Sequence, residues 1–112
     1  MSEVVLDASA LLALLHDEPG AAKVADVLAG GRICAVNLAE VVSHFIHLGM
    51  PSHEVDAMLH TLPINVVAAD EGLARIAGRL RAVTASAGLS LGDRFCLALA
   101  DRDGLPALTA DK

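Results

Sequence analysis

Four acidic residues stand out by type and by position: Asp7, Glu40, Asp93 and Asp111. Taken singly, each has a modest explanation. Asp7 fits the N-cap of a helix that begins at Ala8. Asn37-Leu38-Ala39-Glu40 and Ser90-Leu91-Gly92-Asp93 each read as a cap with an acid three positions on. Asp111 fits a solvated position beside the last residue. Taken jointly, the four imply more. Carboxylates crowded on one rim repel one another, and a hard divalent cation such as Mg²⁺ or Mn²⁺ relieves the repulsion with oxygen ligands. Capping needs no convergence, whereas metal binding does.

The remaining chemistry-bearing residues form weaker patterns. Glu40, His44 and His47 fall at i, i+4 and i+7 on one helix face, a spacing that Zn²⁺ accepts. A polar outer helix face explains them without a metal, and no fourth ligand is placed. His16, His53 and His60 have no partner pattern and read as surface or interface positions. Cys34 and Cys96 read as packing residues. Arg75 and Arg79 share a helix face that reads as solvated. Arg94, directly after Asp93, is the candidate contact for a phosphate. No Gly-x-Gly-x-x-Gly and no P-loop occurs, so a nucleotide cofactor finds no support. Ser9 lacks a G-x-S-x-G elbow, which disfavours a serine nucleophile.

Converging four such distant residues takes a scaffold, and the apolar pattern supplies one. Val4-Val5-Leu6, Ile33 to Val36, Ile64 to Val67 and Ala107-Leu108-Thr109 read as short strands. Between them lie helical stripes: Leu11 to Leu15, apolar nearly all round, then Ala21/Val24/Ala25/Leu28 and Leu38/Val41/Val42/Phe45. Val55/Met58/Leu59/Leu62 follows, then Leu73/Ile76/Ala77/Leu80/Val83, and a helix from Ser90 to about Asp103. Pro19-Gly20, Gly30-Gly31, Pro63 and Gly104-Leu105-Pro106 punctuate the pattern. The order β-α-α-β-α-α-β-α-α-β predicts an α/β fold, a three-layer α/β/α sandwich on a short, mostly parallel sheet. Ligands bind at the carboxyl ends of such strands. Asp7 and Asp111 end strands there, Glu40 opens the helix leaving the second strand, and Asp93 opens the helix feeding the fourth. All four acids are thereby expected on one rim.

Length and composition narrow the classes. One domain over residues 1–112 is expected, with 54% hydrophobic residues and a formal net charge of −6. That acidity argues against blanket electrostatic binding of nucleic acid. With no Trp, no Tyr and two Phe, a base-stacking platform is also disfavoured. No apolar stretch has the length of a membrane span, and no signal peptide is apparent. Two cysteines without a secretory context point to free thiols and a cytoplasmic protein.

Four segments together resemble the PIN-domain family, and in particular its VapC-type toxins of type II toxin–antitoxin pairs. They are Val4 to Leu12, Asn37 to Val41, Ser90 to Ala100 and Leu105 to Asp111, in the family's order. The resemblance implies an Mg²⁺- or Mn²⁺-dependent endoribonuclease with Asp7, Glu40, Asp93 and Asp111 as its acidic quartet. It also suggests Ser9 and Thr109 as hydroxyls supporting the metal shell. It implies RNA as substrate, a cognate antitoxin and a homodimer as partners, and no membrane. Family members usually continue past the fourth acid into a closing strand, which is expected to be missing here. Two other readings stand beside the nuclease. One is a phosphoacceptor receiver-type signalling domain using Asp7 and Asp70. The other is a non-catalytic binding module on the same fold.

Overall fold

Short β-prone runs separated by amphipathic helices leave one economical arrangement, strands inside and helices outside. In the computed structural model, which describes residues 3–110, the strands are β1 (Val5–Leu6), β2 (Arg32–Cys34), β3 (Asn65–Val67) and β4 (Ala107–Leu108). They form one sheet in the order β3-β2-β1-β4. Each neighbouring pair is parallel, with Val5 opposite both Arg32 and Ala107. Asp111 lies outside the described residues.

The helices are α1 (Ala8–Leu15), α2 (Ala21–Val27), α3 (Ala35–His47), α4 (Ser52–His60), α5 (Glu71–Arg79), α6 (Arg81–Thr84) and α7 (Leu91–Asp103). Alternation along β1 splits the core between two layers. Val4 and Leu6 join Ile33, Leu11, Val24, Val41, Phe45 and Val55 on the face covered by α1 to α4. Val5 joins Cys34, Leu73, Ala77, Phe95 and Leu99 on the face covered by α5 and α7. This is the expected three-layer sandwich, and its sheet is parallel throughout the described residues. The apolar α1 is largely enclosed, with Ala10, Leu11 and Ala13 buried.

Two differences from the sequence reading matter most. The second strand stops at Cys34 instead of Val36, and Cys34 itself serves as the cap of α3. Strand passes into helix with no turn residue between, because Ala35 and Val36 suit either state. Asn37 is therefore inside α3, not at its cap, and Glu40 sits one turn further in than expected. The stripe from Leu73 to Val83 is also not one helix. It breaks at Leu80 into α5, α6 and a 3₁₀ turn at Ala85–Ala87. At the other end of α7, Gly104 adopts φ 67° and closes the helix. That left-handed step, which glycine takes without a Cβ penalty, turns the chain into Leu105-Pro106 and β4.

Candidate metal centre

The carboxyl rim of the sheet is built by two helix caps and one long helix. Asp7 leaves β1 with its backbone N–H donating to Leu108 O at 3.2 Å, which carries the β1–β4 ladder to the rim. Its Oδ1 accepts from Ala10 N at 2.9 Å, capping α1. Ser90 and Asp93 form the anticipated capping box on α7, with Asp93 Oδ2 accepting from Ser90 N at 3.0 Å. Because α7 feeds β4, its start returns to the same rim as the end of β1.

Asp7, Glu40 and Asp93 line one concavity of about 300 Å³, together with Ser9, Asn37 and His44. The three segments are far apart in the chain, and the fold brings them together as expected. Each carboxylate spends one oxygen locally: Asp7 Oδ1 and Asp93 Oδ2 on caps, Glu40 Oε1 on Asn37 Nδ2 at 3.0 Å. Each keeps a second oxygen without a hydrogen-bond partner among the described residues. Capping and ligation are thus not alternatives, since one carboxylate has oxygens for both.

The hydroxyls expected to assist also meet here. Ser9 Oγ donates to Asp7 Oδ1 at 2.8 Å and lies 3.0 Å from Thr109 Oγ1. Ser9 has one proton, and Asp7 takes it, so the hydrogen between the two hydroxyls comes from Thr109. Ala110 N donates to Ser9 Oγ at 3.1 Å. A relay thus ties the end of β4 to Asp7.

Asn37 is the residue that sequence reasoning misplaced. It is 1% exposed, and Nδ2 donates both to Glu40 Oε1 and to Gly92 O, each at 3.0 Å. One side chain thereby fastens Glu40 and the first turn of α7 to each other. Its Oδ1 is buried with no hydrogen-bond partner. Gly92 completes the fit: a Cβ there would stand 2.6 Å from both Glu40 carboxylate oxygens. The lack of a side chain lets the Glu40 carboxylate lie against the N-terminal turn of α7, where the helix dipole favours negative charge.

A buried thiol lies within reach of these negative charges. Burial, and after it the negative charges of Asp7 and Asp93, push the Cys96 thiol up to about 12, with Cys34 and Glu40 adding to the effect. Cys34 is raised mainly by burial. Both thiols are buried and free, as expected of packing residues.

Hard carboxylate oxygens, uncommitted and flanked by hydroxyls, fit a hard divalent cation. In the geometry seen, no three Asp, Glu, His or Cys groups among the described residues already form a closed ligand set.

Other expectations land elsewhere. Arg94 does not line the concavity. Its Nη1 donates to Ala77 O at 3.3 Å, and it borders a separate polar cavity of about 180 Å³ with Arg81, Thr84 and Gly88. Leu89 separates that cavity from the wall formed by Asp7, Asp93 and Thr109. Arg75 pairs with Glu71 on an exposed face, as a solvated helix surface does. Asp70 caps α5 by accepting from Leu73 N at 2.9 Å and takes no place beside Asp7. The Glu40/His44/His47 zinc grouping does not form, and His44 turns instead to His16.

The chain and its fold match known proteins. A family model described as PIN domain matches residues 4–112. A protein named Ribonuclease VapC from Mycolicibacterium smegmatis is 34% identical over 119 residues, covering 94% of this chain and 88% of that protein. Among solved structures, VapC20 of Mycobacterium tuberculosis, described as a sarcin–ricin loop cleaving toxin, superposes with a TM-score of 0.77 at 15% identity. That match covers 96% of this chain and 89% of the other. A toxin–antitoxin complex from Klebsiella pneumoniae gives 0.75 at 18% identity over 96% and 86%.

Proposed function

This chain belongs to the PIN-domain family, and from that premise we propose that it is a VapC-type ribonuclease toxin cutting RNA phosphodiesters at the Asp7/Glu40/Asp93 rim. The observation that carries the reading is the convergence of three carboxylates from distant segments, each with one oxygen unspent. Asp7 and Asp93 are the main ligands in this reading. Glu40 is a further ligand or a base acting through water, and Asp111 contributes an outer or second-metal carboxylate. Mg²⁺ or Mn²⁺ held by these carboxylates would supply Lewis acidity and lower the pKa of an attacking water.

The chain's own residues do the rest. Ser9 and Thr109 hold Asp7 in one rotamer through their relay. Asn37 holds Glu40 Oε1 beside the first turn of α7. Arg94, with Arg81, offers positive charge across Leu89 from the acids, a place for a phosphate flanking the cut. The family resemblance implies products with a 5′-phosphate and a 3′-hydroxyl.

Two partners follow from the same reading. A cognate antitoxin would restrain the toxin by placing a basic side chain among the rim carboxylates. A second copy of the chain would form a homodimer. Ile46 and Leu48, at 45% and 60% exposure on and after α3, offer apolar surface for protein contact.

The test is Asp93→Asn. The amide oxygen still caps Ser90 N, so folding is preserved while the charge is lost. Mg²⁺-dependent RNA cleavage is expected to fall by ~10²–10³-fold, the scale of losing one charge stabiliser. Cleavage at the wild-type rate by the folded variant overturns the assignment.

A further inference from the structure

His16 closes the C-terminal end of α1, and His44 lies on α3, 28 residues away. Their Nε2 atoms face each other at 2.9 Å. The rings stand edge to face, with centroids 5.1 Å apart and planes at 81°. Phe45 contacts both, at 5.2 Å from His16 and 5.3 Å from His44. An aromatic ring against each imidazole restricts their rotation, so the two nitrogens are held together before any ligand arrives.

Two bonds of ~2.0–2.1 Å to a tetrahedral zinc ion place their nitrogens about 3.3 Å apart. From the observed separation the nitrogens open by a few tenths of an ångström, and each ring tilts by about 35° so that both lone pairs converge on one ion. We propose that His16 and His44 form a two-histidine site for a borderline transition-metal ion of the Zn²⁺ class. Imidazole favours such ions, whereas the oxygen donors of the neighbouring rim favour Mg²⁺ or Mn²⁺. The proton balance is simple. In the present contact one ring donates from Nε2–H and the other accepts. Coordination leaves both Nε2 atoms bare, and the donor ring carries its proton on Nδ1 instead. Among the described residues no third Asp, Glu, His or Cys completes the set, so water fills the other positions.

The location gives the site a consequence. His44 lines the same concavity as Asp7, Glu40 and Asp93. An ion there staples the end of α1 to α3, the two helices that carry Asp7 at one's cap and Glu40 within the other. The site stands apart from the nuclease reading and does not depend on it.

The experiment is a ZnCl₂ titration of the whole protein at neutral pH with excess MgCl₂, followed through the imidazole resonances of its five histidines. His16 and His44 are expected to shift together and saturate at one ion per chain, while His47, His53 and His60 stay in place. The same titration is expected to raise Tm. In His16→Gln and His44→Gln, each checked for folding by circular dichroism, zinc affinity is expected to drop by at least the ~10–100-fold that losing even a supporting partner costs. Five histidines shifting alike overturns the proposal, as does no shift at His16 and His44. Undiminished binding in either folded variant overturns it equally. RNA cleavage enters none of these readouts.

Discussion

At the amino edge of the sheet, Arg32 at the start of β2 reaches Asp103 at 2.7 Å and Glu3 at 2.9 Å. Arg102 lies 3.0 Å from the other Asp103 oxygen. At the carboxyl edge, Asp7, Glu40 and Asp93 share one hollow, and none of them enters an ion pair among the described residues. The same chain thus neutralises its acids at one edge and leaves them uncompensated at the other. Charge paired within the fold serves the fold. Charge left crowded and unpaired costs stability, and it is retained where a ligand from outside supplies the missing positive charge. The contrast also gives part of the net charge of −6 a location, the carboxyl rim.

Substitutions at the two edges are therefore expected to separate activity from stability. The largest effect is that of Asp93→Asn: the ~10²–10³-fold loss of cleavage comes with little change in Tm, because relief of repulsion at the rim is offset by the charge lost from the N-terminal turn of α7. A clear fall in Tm in that variant would erase the distinction between the edges.

Gly92→Ala sharpens the same point without touching charge. The new methyl would meet the Glu40 carboxylate at 2.6 Å. The end of a flexible side chain can move aside, so the protein is expected to fold normally. The displaced Glu40 is expected to lower cleavage by ~10–100-fold, the scale of disturbing a metal's supporting contacts. Steady-state kinetics together with a melting curve check both halves.

Asn37→Ala acts on both counts. It frees Glu40 and strips the Gly92 carbonyl of its side-chain donor in a buried place. Stability is expected to fall by about 1–3 kcal/mol, readable by urea unfolding, with cleavage falling too.

The smallest effect belongs to the amino edge. The hydrogen bond from Arg102, reinforced by Arg32, holds the Asp103 carboxyl below its ordinary value of 3.8. A carboxyl depressed in the folded state stabilises the fold at pH above the ordinary value and ceases to do so as pH falls through the depressed one. Asp103→Asn is accordingly expected to lower Tm modestly at neutral pH and to melt like the wild type in strong acid, with cleavage unaltered. A Tm difference that grows as pH falls would contradict the pairing.

Much of the carboxyl edge was legible in the residues themselves. Asp7 before Ala8 and the Ser90/Asp93 box are local signals, and the parallel sheet between two helix layers followed from alternating element types. The role of Asn37 was not legible, because nothing between Cys34 and Ala35 marks where strand becomes helix. Three residues of shift, from Asn37 to Cys34, turned an apparent cap into an interior clamp. The break at Leu80 was equally hidden, since the apolar stripe runs through it unchanged. Arg94 follows Asp93 in sequence, yet adjacent helix positions point about 100° apart, which carries its guanidinium to α5. The meeting of His16 with His44 depends on how α1 packs on α3, and neither residue's surroundings in the chain announce it.

Calorimetric titration of the folded protein with Mn²⁺, beside Asp7→Asn, addresses the carboxyl edge most directly. Asparagine keeps the Oδ1 cap on α1 while removing the charge. Wild type is expected to bind Mn²⁺ saturably, and the variant to lose that binding. Equal Mn²⁺ affinity in the two proteins would contradict a metal centre at this rim.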